Sequence, residues 1–375
     1  MNNELCKMVG CEFPLFAFSH CRDVVAAVSR AGGFGVLGGS SFTPEQLEVE
    51  LNWIEAHTDG RPYGVDILIP ENTGGIAQNI TAEQLAAKVP PEHRKFLVEL
   101  LASYGITVSE EEAVAIKLPT TMHDIGEKLM DVIFKHKVGL VANALGIAPQ
   151  SMIDRGKAFG VPVAALVGAK EHAIRQVKAG VDIIVAQGTE AGGHCGEVST
   201  LVLIPEVIRA IKDIKPVPVL AAGGIMTGRQ MAGCMAMGAQ GAWTGSVWLA
   251  TTESETTEVF REKMIAASSR DTIRSKSRTG KPSRQLKSAW HEAWDGPVSP
   301  GALPMPMMGL LSQPAFARID KAAEGGNPKA RELVSYWVGQ GVGLVDSVKS
   351  AGQVVQEFKE EFAESMVDMN SLLEE

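Results

Sequence analysis

One run of the sequence stands apart in its chemistry: Gln187-Gly188-Thr189-Glu190-Ala191-Gly192-Gly193-His194-Cys195-Gly196. Its glycines let the backbone approach a ligand closely, and its single imidazole can take or give a proton near neutral pH. A lone histidine is more often structural, but one framed by glycines directly after an apolar run is a leading acid/base candidate. Two more glycine turns follow, Ala221-Ala222-Gly223-Gly224-Ile225 and Thr244-Gly245-Ser246. Exposed amides at such turns donate to anions, so Gly223, Gly224, Gly245 and Ser246 form a candidate phosphate cradle. Phe18-Ser19-His20-Cys21-Arg22 supplies a second imidazole. Asp66 lies within an apolar stretch, where an acid needs a donor: an arginine, a backbone amide or the N–H of a heterocyclic ligand. His20-Cys21 and His194-Cys195 carry zinc-type ligand atoms, but neighbouring side chains on an extended chain point in opposite directions, so no metal site is expected.

These residues need a scaffold, and the apolar pattern describes one. Short β-branched runs alternate with longer stretches whose apolar residues recur every three or four positions, the signature of parallel strands joined by helices. The expected strands are Pro14 to Ala17, Phe34 to Leu37, Tyr63 to Ile69, Val138 to Asn143, Val161 to Val167, Val181 to Ala186, Val217 to Ala222 and Gly241 to Gly245. Most are continuous apolar runs, as suits strands covered on both faces. Thr43-Pro44-Glu45-Gln46 and Thr227 to Gln230 read as capping boxes at helix starts. Gly32, Gly180 and Gly238 stand where helices end before the second, sixth and eighth strands. The fold class is therefore α/β, a (β/α)8 barrel, with its working face at the carboxyl ends of the strands. The candidate residues above lie at or after the ends of expected strands one, six, seven and eight, with Asp66 inside the third.

Two regions break the rhythm. Residues 71–137 carry charged helical patterns, including Pro91 to Tyr104 and Thr121 to His136, and read as a helical insertion after the third strand. Residues 251–375 hold a basic stretch (Arg270 to Lys287), a Pro/Met-rich loop (Pro297 to Met308) and an amphipathic acidic tail from Val354. They read as a C-terminal helical region able to fold over the mouth as a lid and complete the substrate opening. The barrel itself is then residues 1–70 and 138–250.

Composition narrows the function. In 375 residues, 45% hydrophobic and 21% charged describe a compact folded chain. Thirty-five Lys and Arg against 44 Asp and Glu leave a net charge of -9, the wrong sign for nucleic-acid binding. No secretory signal or membrane-span pattern is present, so a cytoplasmic enzyme with no membrane partner is expected. Five cysteines without CxxC spacing suit reduced thiols. Amphipathic patterns in the tail and the insertion are compatible with a homodimer.

In order and spacing, Gly188 to Gly196, Ala221 to Ile225 and Thr244 to Leu249 resemble the nitronate monooxygenase family, formerly called 2-nitropropane dioxygenases. Phe13-Pro14, Ala31-Gly32-Gly33, Pro62-Tyr63-Gly64-Val65, Thr279-Gly280-Lys281-Pro282-Ser283-Arg284 and Trp337-Val338-Gly339-Gln340-Gly341 resemble it too. The resemblance implies a barrel that binds FMN without a covalent bond, its phosphate on the amides of Gly223, Gly224, Gly245 and Ser246. It implies flavin contacts from Ala17, Phe18, Ser19 and Asp66, and the expected cofactor contacts also include Gln187, Gly192, Gly193, Ala222 and Gln340. By the same resemblance His194 would be the base that deprotonates a nitroalkane or the donor that orients and protonates a substrate carbonyl, while His20, apart from the resemblance, reads as a second proton-exchanging group. The sequence differs from the family pattern at Asp66, where relatives carry an amide, at Ala17 to His20, and in the length of the 71–137 insertion. The same motifs occur in FMN-dependent enoyl-thioester reductases and quinone reductases that use NAD(P)H. Arg274, Lys276, Arg278, Lys281 and Arg284 would suit the phosphates of such substrates. A flavin-free barrel lyase or isomerase of phosphorylated substrates would use the same turns.

Overall fold

The computed structural model describes residues 1, 3–69, 82–114 and 122–373. In chain order the strands are β1 (Leu15–Ser19), β2 (Phe34–Gly38), β3 (Tyr63–Ile67), β4 (Leu140–Asn143), β5 (Val163–Val167), β6 (Ile183–Gln187), β7 (Gly193–His194), β8 (Val219–Ala222), β9 (Gly241–Thr244), β10 (Thr272–Ser275) and β11 (Ser283–Leu286). Eight of them, β1 to β6 with β8 and β9, form a closed parallel barrel, and β9 pairs back onto β1. Each expected strand is found, with ends that differ by at most two residues.

Alternation along each strand divides the apolar residues into two layers. Phe16, Phe34, Val36, Leu140, Ala142, Ala164, Ile183, Val185, Leu220, Ala222 and Trp243 point inward and fill the barrel. Their neighbours, such as Leu15, Val65, Val141 and Ile184, face the surrounding helices.

The early helices are α1 (Glu4–Val9), α2 (Arg22–Arg30), α3 (Pro44–His57), α4 (Ala82–Ala87), α5 (Pro91–Ser103), α6 (Met122–Ile133), α7 (Gln150–Phe159) and α8 (Lys170–Ala179). Helix α1 closes the amino end of the barrel, where Leu5, Cys6 and Val9 join the inward layer. Thr43 and Gln46 make the expected reciprocal capping box on α3. Gly32, Gly180 and Gly238 all adopt the left-handed backbone expected of them, with φ of 88°, 108° and 106°. Helices α4 and α5 supply the inserted helices between β3 and β4, while residues 71–81 and 115–121 of the expected insertion lie outside the described residues.

The later helices are α9 (Thr200–Ile211), α10 (Gly228–Ala236), α11 (Glu258–Ile265), α12 (Ala289–Trp294), α13 (Met307–Glu324), α14 (Pro328–Leu333) and α15 (Ala351–Ser371). The Thr227 to Gln230 box corrects the sequence reading by half. Thr227 Oγ1 accepts from Gln230 N, but the Gln230 amide oxygen accepts from Met226 N at 2.8 Å rather than from the Thr227 backbone N–H.

The acidic tail is not a lid. Helix α15 packs on the flank of the barrel between α10 and α2, in the place of the helix that follows the eighth barrel strand. Glu361 accepts from Gly228 N at 2.7 Å, at the amino end of α10. Lys359 donates to Ala31 O at 2.7 Å, at the carboxyl end of α2, so each helix dipole meets an opposite charge from α15. A bare Gly228 makes the fit possible, since a Cβ there would lie 2.1 Å from Phe358 O. Over the mouth lies instead the antiparallel hairpin of β10 and β11, which pairs with β7. Helix α13 rests against the inserted α4 and α5, and Phe96 meets the Trp294 ring edge-on at 4.9 Å. Among the described residues, no helix is long and apolar enough to cross a membrane.

Candidate active site

The hairpin decides how His194 is presented. Ser283 is the register partner of His194 and Arg284 that of Gly193. His194 Nδ1 lies 3.1 Å from Pro282 O. A carbonyl only accepts, so Nδ1 carries the proton and Nε2 keeps its lone pair. Crowding by protein lowers the pKa of the ring below the usual imidazole value. The bond to Pro282 opposes that shift and nearby Lys281 adds to it. The side chain is half-buried, and among the described residues its ring is hydrogen-bonded through Nδ1. Cys195 turns the other way and its thiol reaches Thr189 O at 3.4 Å, which separates the two potential metal-ligand atoms of this pair.

Three loops meet beside His194. The Glu190 carboxylate accepts from Thr200 N and Thr200 Oγ1, both at 2.9 Å, at the start of α9. Thr200 Oγ1 also lies 3.0 Å from Gly223 O. Gln340 N donates to Glu190 O at 2.8 Å, and Gly339 N donates to Ser246 Oγ at 2.8 Å. The loops after β6, β8 and β9 are thereby tied to the 337–341 segment. Glu190 and Thr200 escaped the sequence reading, because a capping carboxylate ten residues before the helix it serves leaves no local pattern.

Glycine is required at these junctions. A Cβ on Gly188 would lie 2.1 Å from Thr200 Oγ1, and one on Gly192 2.9 Å from Gly339 N. Gly223 and Gly224 have φ of 106° and 73°, which turns successive amides off the end of β8. Among the described residues, none of the amides of Gly223, Gly224, Gly245 and Ser246 has a backbone or side-chain acceptor outside the strand and helix ladders.

Among the described residues, the barrel floor beneath is apolar apart from Asp66 on β3 and Gln187 at the end of β6. Ala17 pairs with Thr244 between β1 and β9, and its side chain is buried in the outer layer, so only its backbone can reach a ligand. Phe18 lies over Trp243 with centroids 6.5 Å apart. Ser19 Oγ accepts from Cys21 N at 3.1 Å. Gln187 and Ala222 are register partners at the ends of β6 and β8. Asp66 is buried on β3, its Oδ1 has no partner among the described residues, and burial raises its pKa well above the ordinary carboxyl value. His20 stands exposed at the end of β1 with Nδ1 3.3 Å from Gly38 O, and the protein around it lowers its pKa.

The basic stretch corrects another expectation. Arg278 is buried, donates to Ser335 O, and is sandwiched between Phe316 and Trp337 at 3.9 and 4.3 Å. Arg284 is buried too and donates to Thr189 O at 3.0 Å and Thr272 Oγ1 at 3.1 Å. These two hold the cap together rather than await an anion, because planar guanidinium groups stack on rings and span carbonyls. Lys276 and Lys281 are exposed, and Arg274 is partly so.

The sequence matches the nitronate monooxygenase family model over residues 7–361. The chain belongs to the nitronate monooxygenase family. It is 49% identical over its full length to the full-length Mycobacterium tuberculosis protein Rv1533, which is named as a monooxygenase. It is 30% identical to a Staphylococcus aureus protein named as a probable nitronate monooxygenase, over 90% of this chain and 91% of that one. The crystal structure of nitroalkane oxidase from Streptomyces ansochromogenes superposes with a TM-score of 0.80 at 25% identity, covering 98% of this chain and all of that one. FabK from Thermotoga maritima superposes at 0.71 and 25% identity, with 99% of each chain covered. As a member of this family, the chain is a flavin-dependent oxidoreductase of the (β/α)8 class.

Proposed function

We propose that this enzyme binds FMN and oxidises nitronates and nitroalkanes with O2, releasing a carbonyl compound and nitrite, with His194 as its acid/base group. One observation carries the reading: the bond from His194 Nδ1 to Pro282 O fixes the tautomer of the neutral ring and leaves the Nε2 lone pair for a substrate proton. A nitroalkane must lose the proton on its α-carbon before it can be oxidised, and a positioned neutral imidazole is the base for that step.

The residues present fit a flavin. Unused amides of Gly223, Gly224, Gly245 and Ser246 suit its phosphate, and the apolar ends of β1 and β9 suit a flat ring. Asp66, buried without a partner, suits a ring that presents polar edge atoms. The bound flavin supplies the passage of electrons from substrate to oxygen. Ala17, Phe18, Ser19, Gln187, Gly192, Gly193, Ala222 and Gln340 complete the proposed lining, and His20 is a second group able to exchange protons. The helices α4, α5 and α13 with the hairpin serve as the cap that bounds the substrate opening.

A second reading draws on the exposed Lys276 and Lys281 beside the mouth, which suit the phosphates of NAD(P)H or an acyl thioester. The test is reduction of the flavin-loaded enzyme without oxygen. Rapid bleaching by a nitronate supports the first reading, and rapid bleaching by NADH or NADPH supports the second.

A further inference from the structure

Asp66 and His20 flank one bare position, Gly38. Gly38 is the register partner of Asp66 across β2 and β3. A Cβ on Gly38 would lie 2.6 Å from His20 Nδ1 and 2.9 Å from Phe18 Cζ, so the absent side chain is what seats the imidazole beside the acid's strand. On the other side, the partner of Asp66 is the inward-facing Ala142 of β4. Asp66 is 3% exposed and makes no ion pair among the described residues, and no charged side chain acts on its carboxyl. His20, by contrast, is open to solvent. His20 is the titratable side chain that packs against Gly38, the register partner of Asp66.

A carboxylate buried without a cation or donors is costly, whereas the neutral acid offers one O–H donor and one carbonyl acceptor. That pair complements a ring edge on which N–H stands beside C=O. We propose that Asp66 meets the heterocycle held in the barrel as an un-ionised acid, donating through its O–H and accepting through its carbonyl oxygen, with His20 across Gly38 exchanging that proton with solvent. This rests on the flavin reading and adds to it a proton linkage: the affinity for the ring depends on Asp66 keeping its proton.

The test titrates FMN, and in parallel riboflavin, into flavin-free wild type and Asp66→Asn across a pH series, followed by fluorescence. Riboflavin is included because the phosphate of FMN titrates by itself. Asparagine keeps a donor and an acceptor but cannot ionise. Wild type is expected to lose affinity with rising pH, approaching about tenfold per unit above the pKa of the acid, and Asp66→Asn to lose none with riboflavin. Independently of any flavin, the infrared spectrum of wild type should show the carbonyl stretch of an un-ionised carboxylic acid that is missing from Asp66→Asn. His20→Asn should slow the shift of that band in deuterium oxide, and unchanged exchange would remove His20 from the proposal. Tight binding with parallel pH profiles, or no such band, overturns the role of Asp66. A protein that shows the band but binds neither flavin at any pH refutes the cofactor reading itself, and the ligand role falls with it.

Discussion

His194 and Pro282 are 88 positions apart, yet the imidazole Nδ1 of one donates to the carbonyl of the other at 3.1 Å. The pairing of β7 with β11 enforces that contact, since Ser283, the next residue after Pro282, is the register partner of His194. The hairpin thus acts as the orienting group that a catalytic base needs, and it comes from the C-terminal region rather than from the barrel.

Replacing His194 with Asn should leave flavin binding intact and lower turnover of neutral nitroalkanes by about 10²- to 10⁴-fold, the usual worth of a general base. Turnover of the preformed nitronate, which has already lost its proton, should change far less. Steady-state rates on both forms of one compound make the comparison. Equal losses on the two would remove His194 from the base role.

The pH profile follows from the depressed pKa of His194. The neutral ring is the active form, so turnover of a neutral nitroalkane should fall as pH drops through a value below 6.5, and the acid limb should be absent from the nitronate profile. Lys281 helps keep that pKa low, so Lys281→Glu should move the limb to higher pH. A limb that stays in place would show that the hairpin charge does not reach the imidazole.

Thr200 joins the loop after β6 to that after β8 through Glu190 and Gly223 O. Thr200→Val removes the one hydroxyl proton that the Glu190 carboxylate and Gly223 O share, and so loosens the turn that presents the Gly223 and Gly224 amides. Losing such a bond costs about 1–3 kcal/mol, so FMN affinity should weaken roughly tenfold or more. Saturating FMN should restore most of the activity, a rescue that damage to the chemistry itself would not permit.

His291 gives the cap a pH-dependent stability. It is buried and neutral, with its pKa pushed down to about 4 by burial and by the nearby Arg278 charge. In the unfolded chain the ring takes up a proton near pH 6.5, while the folded ring does so only near pH 4. Stability is therefore full above pH 6.5 and declines toward pH 4, by about 3 kcal/mol for this group. Denaturant midpoints measured across that range should flatten in His291→Asn.

The barrel was legible because parallel strands buried on both faces leave continuous apolar runs, and left-handed glycines mark where helices stop. The site's backbone was legible for a related reason: Gly188, Gly192 and Gly223 sit where any side chain would strike a neighbouring loop. What escaped were partnerships. The amphipathic pattern of α15 states that one face is buried but not against what, and it serves equally well for a lid or for the eighth barrel helix. A basic run likewise does not reveal which cations are free. Arg278 between two rings and Arg284 on the Thr189 carbonyl and the Thr272 hydroxyl are spent inside the cap, whereas Lys276 and Lys281 remain at the surface.

The most direct test of the proposed activity is the visible spectrum of the FMN-loaded enzyme as a nitronate, NADH or NADPH is added without oxygen. Fast bleaching by the nitronate and none by either nucleotide is the predicted result. Fast bleaching by a nucleotide with no response to the nitronate would contradict it.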